Sequence, residues 1–113
     1  MKFNFHNKTF KLVQNSSEGE VTSDTIFHFQ QNEDIVTADY HGGTIAHGKI
    51  IALLKNDKLE MRYHCITVDD ELKAGKAIAE ISILCNGRMQ LSLEWEWIDR
   101  AGSGQSVYLE IGN

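Results

Sequence analysis

A chain of 113 residues, 42% hydrophobic and 24% charged, has the size and composition of one globular domain covering residues 1–113, and no stretch approaches the ~20 apolar residues of a membrane-spanning helix. Eleven basic against sixteen acidic residues leave a net charge of -5, which argues against a nucleic-acid partner, and no membrane partner is expected either. The opening MKFNFHNKTF interleaves polar with apolar residues and has no apolar run of the signal-peptide kind, so with only two cysteines the setting expected is a reducing cytoplasm.

With no proline and nine glycines, chain reversals fall to Gly, Asn and Asp. Between them lie eight short runs that read as strands: TFKLVQ (9–14), TIFHFQQ (25–31), IVTADYH (35–41), TIAHGKIIALL (44–54), KLEMRYHCIT (58–67), KAIAEISILC (76–85), RMQLSLEWEWI (88–98) and QSVYLEI (105–111). The connections, among them Gly42-Gly43, Asn56-Asp57 and Asn86-Gly87, are mostly too short for a parallel crossover, so neighbours in sequence pair antiparallel as an up-and-down meander.

Residues 72–85 also fit a helical stripe through Ala74, Ala77, Ile78, Ile81, Leu84 and Cys85. The pairing of the following hairpin decides for strand. A two-residue Asn86-Gly87 loop would set Ile83 against Gln90 and Ala77 against Glu96, apolar against polar throughout. A three-residue loop, Cys85-Asn86-Gly87, shifts the register by one and sets Ile83 against Met89, Ile81 against Leu91, Ala79 against Leu93, Ala77 against Trp95 and Gly75 against Trp97, with Lys76 facing Glu96 on the other face. For Asn56-Asp57, a two-residue loop sets Leu54, Ala52, Ile50 and Gly48 against Leu59, Met61, Tyr63 and Cys65. A four-residue loop at Gln31 to Asp34 pairs Phe29 with Val36, Phe27 with Ala38 and Thr25 with Tyr40. Eight strands with one apolar face bury that face and lose their open edges by closing on themselves, which predicts an all-β, eight-stranded antiparallel up-and-down barrel of the lipocalin or streptavidin kind.

The stretch TIFHFQQ, IVTADYHGGTIAHG, LEMRYHCI, LKAGK, NGRMQL and EWEW, spread over residues 24–110, resembles a group of small bacterial proteins with an avidin- or lipocalin-like barrel, often labelled n-acetylglutamate synthase. The resemblance implies the same closed barrel. An acetyltransferase of the usual type holds the acetyl-CoA pyrophosphate on a glycine loop that opens a helix. Here Arg100-Ala101-Gly102-Ser103-Gly104 has Gly102 one residue too early for that loop and leads into a strand, so acetyl transfer is not expected.

His6, His28, His41, His47 and His64 suggest metal ligation, but no carboxylate or cysteine stands at ligand spacing, so no metal and no cofactor is assigned. Cys65 and Cys85 read as free structural thiols, and adjacent His64 points to the face opposite Cys65. Trp95 and Trp97, with Tyr40 and Tyr63 on the same inner face, have the character of an aromatic lining for a guest, or else of rings that fill the core. Glu60, Glu80, Glu94, Glu96, Arg62 and Lys76 read as a solvated outer face. A slip of one residue in the Asn56-Asp57 hairpin would turn Arg62 and His64 inward and make them the site.

The expected function is non-catalytic binding of a small, partly apolar or heterocyclic molecule inside the barrel, gripped by Trp95 and Trp97 and oriented by the Tyr40 and Tyr63 hydroxyls. The alternatives are an acid-base isomerase or lyase using an inward ionisable pair, and a filled barrel serving structure or interaction. Because Ile50-Ile51-Ala52-Leu53-Leu54 is apolar on both faces of one strand, Ile51 and Leu53 predict a homo-oligomer.

Overall fold

The computed structural model describes residues 3–15 and 22–111. Its strands are β1 (Lys8–Asn15), β2 (Ile26–Asn32), β3 (Ile35–Gly42), β4 (Ile45–Lys55), β5 (Lys58–Thr67), β6 (Leu72–Ile83), β7 (Met89–Trp97) and β8 (Ser103–Ile111). Each pairs antiparallel with the next, and β8 returns to β1 to close the barrel. The described residues contain no helix, and hence none long and apolar enough to cross a membrane.

Side-chain size complementarity sets the registers. Across β6 and β7 the partners are Ile83–Met89, Ile81–Leu91, Ala79–Leu93, Ala77–Trp95 and Gly75–Trp97, as the three-residue loop requires. Small residues on β6 face large ones on β7, so the inner face fills without collision. Outside, Lys76 lies 3.2 Å from Glu96. The helical reading of 72–85 fails because Leu72–Ile83 is one strand, longer at its start than the run at 76, with Leu72 already paired to Ile66. The β4–β5 hairpin turns on Asn56 and Asp57 at φ 53° and 64°, the left-handed pair of a type I′ turn, and sets Leu54 against Leu59 and Ile50 against Tyr63.

The β2–β3 register is corrected by two residues. Gln31 pairs with Val36 and Asn32 with Ile35, so only Glu33-Asp34 remain in the turn and Phe29 faces Ala38 while Phe27 faces Tyr40. Glu33 accepts φ 58°, and the Gln31 side-chain amide donates to its carbonyl at 2.8 Å, stabilising a tighter reversal than the expected four-residue loop. A shift of two leaves every side chain on its face, and the inner set survives the correction.

The two ends of the barrel differ. At the end carrying the tight turns 33–34 and 56–57, the N-terminal segment folds in: Phe5 is fully buried, its amide donates to Gln31 Oε1 at 2.7 Å, and its ring packs on Phe10 and Phe29 with centroids 6.0 and 5.6 Å away. That end is sealed by hydrocarbon. The opposite end, where β1, β3, β5 and β7 finish, carries three irregularities in the ladder, between Leu12 and Gln14, Tyr40 and Gly42, and Ile45 and His47. An extra residue in one strand flips the inside-outside order beyond it. Past the first bulge Asn15 lies opposite inward Ser106, leaving Gln14 to the outer wall.

Candidate functional site

The inner face at this second end is aromatic because glycine opposes tyrosine there. Tyr40 pairs with Gly48 and Tyr63 with Gly75, and each ring lies over its glycine so closely that a Cβ on Gly48 would stand 2.4 Å from Tyr40 Cζ, and one on Gly75 2.5 Å from Tyr63 Cε1. Any larger residue would push the ring into the barrel axis. Tyr40 then stacks on Phe27 at 5.0 Å, and Phe27 on Tyr108 at 4.3 Å. Trp95 and Trp97, two apart on β7, meet edge to face at 5.7 Å, and Tyr63 meets Trp97 likewise at 6.2 Å.

These residues border one interior cavity. Tyr40, Tyr63, Trp95 and Trp97, the four selected from sequence, all line it, together with Asn15, Cys65, Ser106 and Tyr108. Its volume is about 30 Å³, room for about one water molecule. Tyr40, Trp95 and Tyr108 are buried, whereas Tyr63 and Trp97 are half-buried at the mouth. Trp95 is pinned: its Nε1 donates to Ser106 Oγ at 2.9 Å, and Ser106 Oγ in turn donates to Asn15 Oδ1. The Tyr40 hydroxyl donates to the His64 carbonyl over a long 3.4 Å, and Tyr63 and Tyr108 supply the other two phenols of the lining. Burial pushes all three phenols well above their ordinary value, with Cys65 adding to the shift at Tyr40 and Tyr63. They therefore serve as neutral hydrogen-bonding groups rather than as bases.

Sequence reasoning missed four contributors. Ser106 and Tyr108 alternate with the apolar Val107, Leu109 and Ile111, so apolar parity alone favours the wrong face; pairing with Leu93 and Leu91 turns Ser106 and Tyr108 inward. Asn15 owes its place to the bulge. Lys73 lay before the expected start of its strand, yet it is the cross-strand partner of buried Cys65 and shares its inward face with Gly75 and Ala77. Continuing the alternation from Ala79 back through Ala77 and Gly75 finds it. Its side chain is only 15% exposed, with Nζ 5.6 Å from the centroid of the Trp97 ring and 3.7 Å from Glu71 Oε1.

Arg62 and His64, the pair on which an acid-base reading depended, are exposed on the outer face, because the Asn56-Asp57 register does not slip. A concavity of about 720 Å³ lies outside, across β5 to β8, and is lined by Glu60, Arg62, Lys76, Ile78, Glu94 and Glu96 among others. It is open, and its two bases lie paired with acids of the same wall, Arg62 with Glu60 at 3.8 Å and Lys76 with Glu96 at 3.2 Å. The aromatic cavity, though far smaller, brings polar groups of Asn15, Ser106 and the tyrosines together among aromatic rings. The described histidines are exposed; His28 and His41 stack at 5.7 Å on the outer wall, and no group of three His, Cys, Asp or Glu among the described residues could hold a metal ion. Both cysteines are free, Cys65 buried and Cys85 exposed.

A family model described as Avidin-like protein matches residues 3–111. No curated protein and no solved structure matches the chain.

Proposed function

The chain belongs to the avidin-like family, and on that premise we propose that its barrel binds a small, partly apolar, ring-containing molecule at the open end. The observation that carries this reading is the asymmetry of the two ends. One is plugged by packed phenylalanines, while the other gathers two indoles and three neutral phenols around a residual cavity whose mouth rings are only half covered. Buried tyrosines normally satisfy their hydroxyls. Tyr63 and Tyr108 line the cavity, so their hydroxyls are the groups that a guest's polar edge would meet.

A cavity of about 30 Å³ does not hold an organic molecule, so entry requires displacement of side chains. Tyr63 and Trp97 are the ones that move. Neither is fully buried, and Lys73 over Trp97 belongs to the same mouth. Trp95, tied to Ser106, and Tyr40, wedged between Gly48 and Phe27, form the fixed floor. The same small volume favours a second reading, a barrel whose rings are simply its core and whose role is structural.

The test is a thermal-shift and tryptophan-quenching screen of small apolar and heterocyclic compounds. A ligand at about 100 times its Kd adds about 2.7 kcal/mol by mass action, which raises the melting temperature of a domain this size by more than about 10 °C. A subset of compounds is expected to do so in wild type and to lose affinity in Trp97→Ala, with Tyr63→Phe changing selectivity more than stability. If no compound raises the melting temperature or quenches tryptophan emission, the binding reading is wrong and the filled barrel stands.

A further inference from the structure

We infer that Asn86-Gly87 is a site of spontaneous covalent modification, in which the Asn86 side chain closes on the Gly87 nitrogen and the β6–β7 turn passes one way into aspartyl and isoaspartyl forms. The inference stands apart from the binding function, because this turn belongs to the sealed end of the barrel, with the turns 33–34 and 56–57. Asn86 is the only asparagine of the chain that is followed by glycine. Residues 85–88 are all exposed, and a Cβ built on Gly87, at φ 86°, would meet nothing within 4 Å, so the glycine stands in open space with no side chain of its own to shield its nitrogen. The turn also prepares the carbonyl that is attacked, since Asn86 Oδ1 already accepts the Arg88 main-chain amide at 3.0 Å. As the ring closes, negative charge develops on that oxygen, and an N–H aimed at it stabilises the charge.

Water is the one co-reactant. The Gly87 nitrogen gives its proton to solvent base and bonds to Asn86 Cγ, and the Cγ–Nδ2 bond breaks as Nδ2 takes up a proton and leaves as ammonia. The succinimide that remains is opened by water at either carbonyl: attack at Cγ gives aspartate, and attack at the main-chain carbonyl gives isoaspartate, in which the chain runs through the former side chain. Ring closure is favoured because nucleophile and carbonyl sit on adjacent residues. It is opposed by the hydrogen bond from the Gly87 N–H to the Leu84 carbonyl, 2.8 Å long, which has to open first. In an exposed loop such an opening costs little. Both products place a carboxylate in the turn, and isoaspartate also adds a carbon to the main chain of a loop whose length sets Ile83 against Met89. That form therefore loosens the β6–β7 hairpin at its turn.

The experiment incubates the full native chain in mildly alkaline buffer made with heavy-oxygen water and then maps its peptides after digestion at mildly acid pH, so that oxygen taken up during incubation marks the residue that reacted. The same incubation in urea gives the rate of the unfolded chain. Label is expected at Asn86, as a mixture of aspartate and isoaspartate, ahead of every other asparagine, including Asn56, which is also exposed in a tight turn but precedes Asp57. The native rate is expected within about tenfold of the unfolded rate, the scale of a cheap local opening. Asn86→Gln should lose the label, because its longer side chain can close only a larger ring. An Asn86 that acquires label in urea but not in the native barrel, label at Asn56 as fast as at Asn86, or label that persists in this peptide of Asn86→Gln would overturn the inference. The isoaspartyl form, separated by ion exchange, should melt below Asn86→Asp, which carries the same charge without the added carbon; equal melting temperatures would overturn the claim that the modification loosens the hairpin.

Discussion

Replacing Gly48 with alanine tests the packing logic of the aromatic end directly. The new Cβ would meet Tyr40 Cζ, Cε2 and Cε1 at 2.4, 2.5 and 2.6 Å. Carbon atoms in contact prefer about 3.5 to 4.0 Å, so the ring has to retreat by about 1 Å. It can retreat only toward the barrel axis and against its own stack, because Tyr40 is 4% exposed and stacked on Phe27, itself 1% exposed and stacked on Tyr108. Overpacking of a filled core costs about 1–3 kcal/mol. Alanine offsets about 0.4–1 kcal/mol of this by restricting the unfolded chain, since Gly48 does not occupy the left-handed region. The net expectation is a loss of about 1.3 kcal/mol, read as a fall in melting temperature of about 5 °C for a domain of this length. Urea unfolding of Gly48→Ala in wild-type and Tyr40→Leu backgrounds isolates the cause: with the ring gone, the alanine should be neutral or slightly stabilising. An equal loss in both backgrounds, or no loss in wild type, would refute the argument that Gly48 exists to seat Tyr40.

The same substitution at Gly75 meets Tyr63 at 2.5 Å, but Tyr63 is half-buried and can swing outward, so Gly75→Ala should lower the melting temperature less than Gly48→Ala while changing ligand response in the screen more. Alkaline stability follows from the three inner phenols, two buried and one half-buried. Their folded-state values lie above the unfolded value near 10, so the stability they contribute is complete below about pH 10 and is lost as pH rises further; tyrosinate absorbance at 295 nm should therefore appear together with loss of the β-sheet circular dichroism signal, and early ionisation of all three tyrosines in a folded barrel would contradict it. Thiol titration of the native protein should show one fast group, Cys85, with Cys65 reacting only on unfolding; two fast thiols would mean that the mouth is wider than described. Ile51 and Leu53, 61% and 41% exposed beside Ile35 on the outer wall, are expected to be covered in a homo-oligomer, which light scattering detects and Ile51→Lys should dissociate; a monomer unaffected by Ile51→Lys would remove that expectation.

Much of this architecture is local enough to be legible in the chain itself. Turn chemistry at Asn56-Asp57 and at Cys85-Asn86-Gly87, and the match of small against large residues across two strands, are pairwise properties, and they yield the β4–β5 and β6–β7 registers before any barrel is assembled. Those registers in turn place Tyr63, Trp95 and Trp97 on one inner face, and Arg62 and His64 on the other. The antiparallel order and the need to hide edges lead from there to closure.

What tertiary structure alone decided are the features that depend on all eight strands at once. Bulges form where the ladders of a closing barrel fall out of step, and only they turn Asn15 inward, where it accepts from Ser106. The inward face of β8 is fixed by its neighbours rather than by its own apolar residues, so Tyr108 points in while Val107 does not. Lys73 becomes a residue of the mouth because pairing with β5 extends β6 back to Leu72, beyond the run its own composition suggests. The space left between the rings, about 30 Å³, is a small difference between the volume a barrel encloses and the volume its side chains fill. No alternation of residue types encodes that difference, because it is set by how every inner side chain packs against the others.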